Sequence, residues 1–311
     1  MFKLSCVSDK IWNMTEFVNF LTKNRNSEIE LMMFPEAVCL ETLGIYKILD
    51  SFNFSKVTIS TYNPFETHHK YHIKFLYNFW FTQKQNVEAS LHTWNKNKKF
   101  FCLYHRPTAG RLGIASYLNH CHQQDSLIHF SASTDEDNLI QFELDKLLRF
   151  DIASVKTAGD LVQSLPMLLS SPDRYTHCQG YFYDDPLTDF YKDILIDVVV
   201  ESHVSGTTFF PTEKTLRPMW LKKPFIVFGS KDYLLYLRQM GFRTFADFWD
   251  EEYDGYETRE RYVRILALLD QLSKKSYREL QSMYQDMQYT LQHNYDLLQN
   301  QTYTTDLTYI D

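Results

Sequence analysis

The run ILIDVVV at residues 194–200 constrains the fold more than any other stretch of this sequence. Six of its seven residues are apolar, and five of those are β-branched Ile or Val. Such a run is typical of a β-strand that is buried on both faces, as in a parallel sheet covered by helices on its two sides. The sequence therefore predicts an α/β protein.

Strand and helix patterns alternate along the first hundred residues. EIELMMF (28–34) and KVTIST (56–61) predict strands. Between them, the apolar residues of 37–52 recur with a period near 3.6, which predicts a helix. The order strand, helix, strand is typical of a parallel sheet.

The same alternation restarts after TWNKNKK (93–99), a polar stretch with no apolar period. Beyond it, the strands are predicted at 100–105, 126–132 and 194–202 and the helices at 111–121 and 232–240. We therefore predict two Rossmann-like domains in series, at 1–98 and 99–275.

The C-terminal part of the chain, from residue 276 to residue 311, is predicted to be a helical extension. An apolar stripe recurs there at steps of three and four residues and consists of Leu280, Met283, Tyr284, Met287, Leu291 and Leu298. The stripe predicts a helix that packs back onto the domains. A coiled coil through which the chain would form an oligomer is the alternative.

Composition limits the classes of partner and the compartment. The formal net charge of −7 disfavours nucleic acid as a partner. The five cysteines are widely spaced and form no CxxC pair, so we expect free thiols in a reducing compartment. No apolar run is long enough for a transmembrane segment or a signal peptide, and the expectation is a cytoplasmic protein.

Familiar phosphate-binding loops are missing from the sequence. It has no GxGxxG, no GxxxxGK[ST] and no GxSxG motif, and only nine glycines from which to build such loops. A phosphate site in this chain would have to use a helix N-terminus and cationic side chains.

HRPTAGR (105–111) offers the first such combination. It follows a predicted strand, carries Arg106 and Arg111, and leads directly into a predicted helix. In open α/β sheets, ligands bind in the crevice at the carboxyl ends of the strands.

The second combination is PTEK (211–214). Thr212 is a natural N-cap, Glu213 lies in the first helical turn, and Lys214 projects from the same turn. A lysine there opposes the helix dipole, so it indicates a bound anion, whereas plain helix capping is the alternative. Glu201 ends the apolar strand at the edge where the crevice is expected.

The order of these motifs resembles the donor-binding half of the fucosyltransferase-like GT-B glycosyltransferases, including variants from viral and marine bacterial genomes. The resemblance covers about residues 97–270. The motifs that carry it are HRPxxxR, then ES at 201–202, PTEK at 211–214, KPFIVFG at 223–229, YL with GFRTF within 233–245, and WDEEYD at 249–254.

The resemblance implies a GT-B arrangement and roles for four residues. The glutamate of the T-E-K motif, here Glu213, would bond the ribose of the donor nucleotide. Lys214 and Arg111 would neutralise the departing diphosphate, with Arg106 as a second-choice phosphate ligand.

Three further residues match the donor pocket of that family. Glu201 and Ser202 correspond to a segment that lines the pocket, and Thr212 opens the T-E-K motif. The asparagine of the family's segment is not present, and His203 stands one position further along.

The activity implied by the resemblance is inverting transfer of a sugar from a nucleotide diphosphate-sugar, GDP-fucose in that family, to a hydroxyl acceptor. Neither a metal nor a cofactor is expected, because fixed cations and a helix N-terminus can stabilise the diphosphate. The acceptor hydroxyl needs a general base from the N-terminal domain, for which Glu36 is the first candidate and Glu66 the second. The alternative is a non-catalytic sugar- or protein-binding module on a degenerate form of the same scaffold.

Overall fold

The structure is a computed structural model. It describes residues 2–5, 14–33, 39–41, 43–77, 81, 92–132, 137–169, 190–206 and 208–300. These residues fall into two compact units. The first unit lies within 1–83 and 206–210, and the second lies within 84–205 and 211–301.

The first unit is built on a four-stranded sheet in which every neighbouring pair of strands is parallel. Its strands, in spatial as well as chain order, are β1 (Phe2–Ser5), β2 (Glu28–Met33), β3 (Lys56–Thr61) and β4 (His72–Phe75). Its helices are α1 (Met14–Lys23) and α2 (Ile45–Asp50). Apolar side chains of the helices pack on the sheet around the fully buried Leu21, Leu31, Leu49 and Ile59.

Helix α2 is shorter than the helix that the apolar period predicts over 37–52. It begins at Ile45, because Gly44 adopts a left-handed conformation with φ of 69° and the preceding residues form a turn. In that turn, the amide of Ile45 donates to the carbonyl of Leu40. Leu43, which the period places on the buried face, is exposed.

The second unit contains another four-stranded parallel sheet, covered by helices. Its strands are β5 (Lys98–Tyr104), β6 (Ser126–Phe130), β7 (Ile194–Val200) and β8 (Phe225–Phe228), in the spatial order β6-β5-β7-β8. Its helices are α3 (Ala109–Cys121), α4 (Asp137–Leu147), α5 (Ile152–Val162), α6 (Glu213–Trp220), α7 (Tyr233–Gln239), α8 (Thr258–Ser273), α9 (Tyr277–Asp286) and α10 (Gln288–Asn300). All seven residues of β7 are buried, which confirms the prediction of a strand covered on both faces.

The strand order places a switch point between β5 and β7. From β5 the chain passes through α3 to β6 on one side, and β7 pairs with β5 on the other side. Connections that leave two adjacent strands in opposite directions open a crevice at the carboxyl ends of those strands. A ligand site is therefore expected at the carboxyl ends of β5 and β7.

The apolar stripe of the C-terminal helices packs inside the second unit, where Met283 is half-buried and the other five residues are buried. Leu280, Tyr284, Met287, Leu291 and Leu298 are all buried. The Tyr284 hydroxyl donates to the backbone carbonyl of His92. Helix α9 begins with a capping box in which Ser276 and Glu279 satisfy each other's backbone amides, which is why a helix starts there.

Candidate functional site

The candidate site lies at the carboxyl ends of β5 and β7, where α3 and α6 begin. Glu201 is the first residue after β7 and is only 2% exposed. Its carboxylate accepts hydrogen bonds from the Thr212 amide (3.2 Å) and hydroxyl (2.7 Å), the Thr215 hydroxyl (2.6 Å) and the Tyr233 hydroxyl (3.1 Å). Glu201 thereby fixes the start of α6 against the end of β7.

Glu201 is a buried carboxylate that stays ionised. Burial alone would raise its pKa, but the charge of Lys214 and the hydrogen bonds from Thr215 and Thr212 bring that pKa below its usual value. A carboxylate that is this deeply buried is stable in its charged form only because both of its oxygens accept hydrogen bonds.

Lys214 lies in the first turn of α6 with its ammonium folded back toward the helix start. Its Nζ donates to the Thr212 hydroxyl oxygen at 2.7 Å and lies 3.1 Å from Glu213 Oε1 and 3.5 Å from Glu201 Oε2. Thr212 is the N-cap of α6, as the sequence predicts, and its hydroxyl accepts from the Lys214 amide. The lysine that opposes the helix dipole is thus held by two carboxylates and a hydroxyl, and its side chain remains 15% exposed.

Arg111 joins the end of β7 to the turn that precedes α3. Its Nε and Nη2 both donate to the Val200 carbonyl at 3.3 Å, and its Nη1 donates to the Arg106 carbonyl at 3.2 Å. The residue is 4% exposed, and burial lowers its pKa while Glu201 and Glu213 act in the opposite direction. Arg106 itself is exposed.

The start of α3 is partly capped by a side chain from α4. The Ala109 amide donates to Glu143 Oε2 at 2.8 Å, and Lys146 pairs with the other oxygen of Glu143 at 2.6 Å. Thr108 is the N-cap residue by position, but its hydroxyl makes no capping bond. One amide of this helix start is therefore already bonded to a carboxylate of the protein.

A second polar cluster, which sequence reasoning missed, lies one turn further along α6. Arg217 Nε donates to the Tyr191 hydroxyl at 2.6 Å and lies 3.8 Å from Asp197 Oδ2, and the Tyr191 hydroxyl also bonds Asp197. Burial raises the pKa of Asp197 to about 6, against the opposing effects of Arg217 and Tyr191. The signal in the sequence was the single aspartate inside the apolar run ILIDVVV.

Two histidines lie at the same edge of the sheet. His105, just after β5, has its Nδ1 2.7 Å from the hydroxyl of Ser131, just after β6. His129 is buried in β6. The pKa of His129 is lowered to about 4, mainly by burial, and His105 and Arg217 act in the same direction.

Arg261 is a third buried cation at this edge that the sequence did not reveal. It lies on α8, and its guanidinium donates to the carbonyls of Tyr256, Val204 and Gly229. Val204 follows β7 and Gly229 follows β8, so one side chain connects the loops after both strands. Ser202, which was predicted to line the pocket, is exposed in the first of these loops.

The two general-base candidates belong to the N-terminal part of the chain. Glu36 lies outside the described residues. Glu66 belongs to the first unit, where its carboxylate accepts from the Tyr46 hydroxyl at 2.7 Å and from the Leu40 amide at 3.2 Å. Its oxygens therefore have structural partners.

Comparison with known proteins leaves the family of this chain open. No protein-family model and no curated protein matches it. Among solved structures, it is similar to AviGT4, described as a glycosyltransferase involved in avilamycin A biosynthesis. The identity is 10% over 97% of this chain and 99% of the other, with a TM-score of 0.30. A likeness of that size supports no argument about fold or activity.

The described residues form neither a membrane-spanning helix nor a metal-binding cluster. Within the described ranges, no helix is long and apolar enough to cross a membrane. In the same part of the chain, no group of three or more His, Cys, Asp or Glu side chains is arranged to hold a metal ion.

Proposed function

We propose that this protein is a metal-independent glycosyltransferase of GT-B arrangement that moves a sugar from a nucleotide diphosphate-sugar to a hydroxyl acceptor. The observation that carries the proposal is the cluster of Glu201, Thr212, Glu213 and Lys214 at the switch point of the second sheet. These residues belong to the motifs that resemble the donor-binding half of fucosyltransferase-like enzymes. GDP-fucose is accordingly the first donor to test.

The chemistry of the cluster suits a leaving diphosphate. Breaking the bond between the sugar and the diphosphate leaves an electron pair on a phosphate oxygen, and fixed positive groups stabilise that charge. Lys214, the exposed Arg106 and the buried charge of Arg111 supply positive charge at one edge of the sheet. The first amides of α6 add a partial positive charge at the same place.

Glu213 is suited to the ribose role because its carboxylate is 30% exposed and pairs only with Lys214 among the described residues. A carboxylate in that setting keeps lone pairs for two hydroxyl donors. Glu201, by contrast, is occupied by donors of the protein, and we assign to it the positioning of Thr212 and Lys214.

Deprotonation of the acceptor is assigned to a carboxylate of the first unit. Glu36 remains the first candidate, and attack on the face opposite the diphosphate would invert the anomeric centre. A cytoplasmic location fits a nucleotide-sugar donor.

Nucleotide binding by wild type and by Lys214→Ala tests the donor site. A thermal-shift panel of GDP, UDP, ADP, CDP and TDP, with EDTA and with Mg²⁺, would reveal the ligand. A nucleotide at 100 times its Kd adds about 2.7 kcal/mol to the free energy of unfolding. We expect one nucleotide to raise the melting temperature of wild type in EDTA and to have no effect on Lys214→Ala.

The matched control is Lys274→Ala, which removes an exposed lysine from the C-terminal end of α8. Among the described residues, this lysine pairs only with Asp270. This variant should respond to the nucleotide as wild type does. Normal nucleotide binding by Lys214→Ala would remove Lys214 from the site.

A non-catalytic sugar- or protein-binding module is the second candidate, and the environment of Glu66 favours it, since that carboxylate is occupied by Tyr46 and Leu40. The two candidates differ in turnover. Release of nucleoside diphosphate from the donor, at a rate that depends on Glu36, supports the transferase. Nucleotide-sugar binding without release of nucleoside diphosphate supports the module.

A further inference from the structure

The guanidinium of Arg217 is held in place from one side only. Its Nε donates to the Tyr191 hydroxyl at 2.6 Å and lies 3.8 Å from Asp197 Oδ2. Tyr191 and Asp197 are buried and bonded to each other, so they form a rigid support. Because this support holds Nε, the plane of the guanidinium is fixed.

The other two nitrogens of Arg217 are unused. Within the described part of the chain, neither Nη atom has a hydrogen-bond partner. The side chain as a whole is 11% exposed. Four N–H donors are thus available in a fork whose position is set by the protein.

The surroundings of this fork favour an anion. Arg217 lies three residues after Lys214 on α6, so the two cations share one face of the helix. Arg217 and His105 both act to lower the pKa of the buried His129. A planar fork beside an ammonium matches two oxygens of a phosphate better than any neutral ligand.

We propose that Arg217 binds a phosphate group through both of its Nη atoms and that Tyr191 and Asp197 act as positioning residues for it. The identity of the ligand as the diphosphate of the donor nucleotide rests on the function proposed above. Lys214 would then hold the diphosphate from the first turn of α6 and Arg217 from the second.

The competing explanation is that Arg217 only neutralises Asp197 inside the fold. Arg217→Lys separates the two explanations, because it keeps the positive charge near Asp197 and removes the fork. Arg217→Gln removes both. The matched control is Arg278→Lys, on the exposed surface of α9, where the side chain has no partner among the described residues.

The measurement is the Kd of inorganic pyrophosphate, and of the nucleotide selected by the thermal-shift panel, by isothermal titration calorimetry. We expect Arg217→Lys to weaken both ligands at least tenfold and Arg278→Lys to leave them unchanged. The melting temperature and circular dichroism spectrum of each variant without ligand establish that it is folded. If Arg217→Lys does not fold, Tyr191→Phe is measured instead. This substitution removes the hydroxyl that holds Nε of Arg217 and should also weaken the binding of pyrophosphate.

The outcomes separate this inference from the proposed function. If the folded Arg217→Lys variant binds pyrophosphate and the nucleotide as tightly as wild type does, Arg217 has no role in binding. The proposed nucleotide site would not be affected by that result. Binding of pyrophosphate but of no nucleotide, with loss in Arg217→Lys, would support the anion site and refute the donor. Failure of wild type to bind either ligand would refute both.

Discussion

Replacement of Lys223 by methionine should remove a pH dependence that the structure builds into the second unit. Lys223 is fully buried just before β8, and its ammonium donates to the carbonyls of Thr93 (2.5 Å) and Ile194 (3.2 Å). Burial lowers its pKa from 10.5 to about 7, although Asp193 acts in the opposite direction. At neutral pH the folded protein therefore holds this amine about half protonated.

The direction in which stability changes with pH depends on which state, folded or unfolded, holds the extra proton. Between about pH 7 and the ordinary lysine pKa, the unfolded chain keeps a proton that the folded chain has lost, so the folded state gains stability as pH rises. Each such proton contributes about 1.4 kcal/mol per pH unit, and integration from pH 7 to pH 9 gives about 2 kcal/mol. Lys223→Met should lack this gain, whatever constant cost it carries for the two unpaired carbonyls.

Urea unfolding followed by circular dichroism at a series of pH values measures the effect. The informative quantity is the free energy of unfolding of wild type minus that of Lys223→Met, because all other titrating groups cancel. Lys274→Met, which changes an exposed lysine, should give a flat difference. A flat difference for Lys223→Met as well would show that the buried amine is charged throughout, and the reasoning would be refuted.

Two further substitutions test packing and polarity around the site. Glu201→Gln replaces a carboxylate that accepts four hydrogen bonds by an amide whose NH2 group can only donate. We expect the urea midpoint to fall by the equivalent of about 3 kcal/mol in the free energy of unfolding. An unchanged midpoint would contradict the hydrogen bonds described for Glu201. Gly113→Ala would place a Cβ 2.8 Å from Leu147 Cδ1 and closer still to the Tyr262 hydroxyl, so a loss of about 1–3 kcal/mol should appear as a lower melting temperature. An alanine variant as stable as wild type would mean that α3 and α8 can move apart.

Local sequence patterns predicted several elements of the second unit because the signals for those elements lie within short stretches of the chain. The apolar run of β7, the Thr212 cap of α6 and the apolar stripe of the C-terminal helices each depend on residues within a few positions of one another. The start of α2 was predicted wrongly, because the prediction also depended on a local pattern alone. The apolar period continues through Gly44, but the left-handed conformation there breaks the helix.

The candidate site was predictable only in part, since most of its geometry depends on residues far apart in the chain. The proximity of Glu201 to Lys214 follows from strand-to-helix order. The support of Arg217 by Tyr191 does not, because the two lie 26 residues apart and meet only in the folded sheet. The contact of Arg261 is still less predictable, because its guanidinium donates to the carbonyl of Val204, which lies 57 residues earlier in the chain.

The short segment 206–210 has a consequence for dissecting the protein. It belongs with the first unit although the chain on both sides of it belongs to the second, and its Phe209 is fully buried with its ring 5.4 Å from that of Phe65. A fragment that stops at residue 83 would leave the aromatic surface around Phe65 without this ring. Conversely, a fragment from residue 84 onward would carry Phe209 without the ring of Phe65. The two units share one continuous chain that passes from the second to the first and back, so neither can be expressed complete as a single contiguous piece.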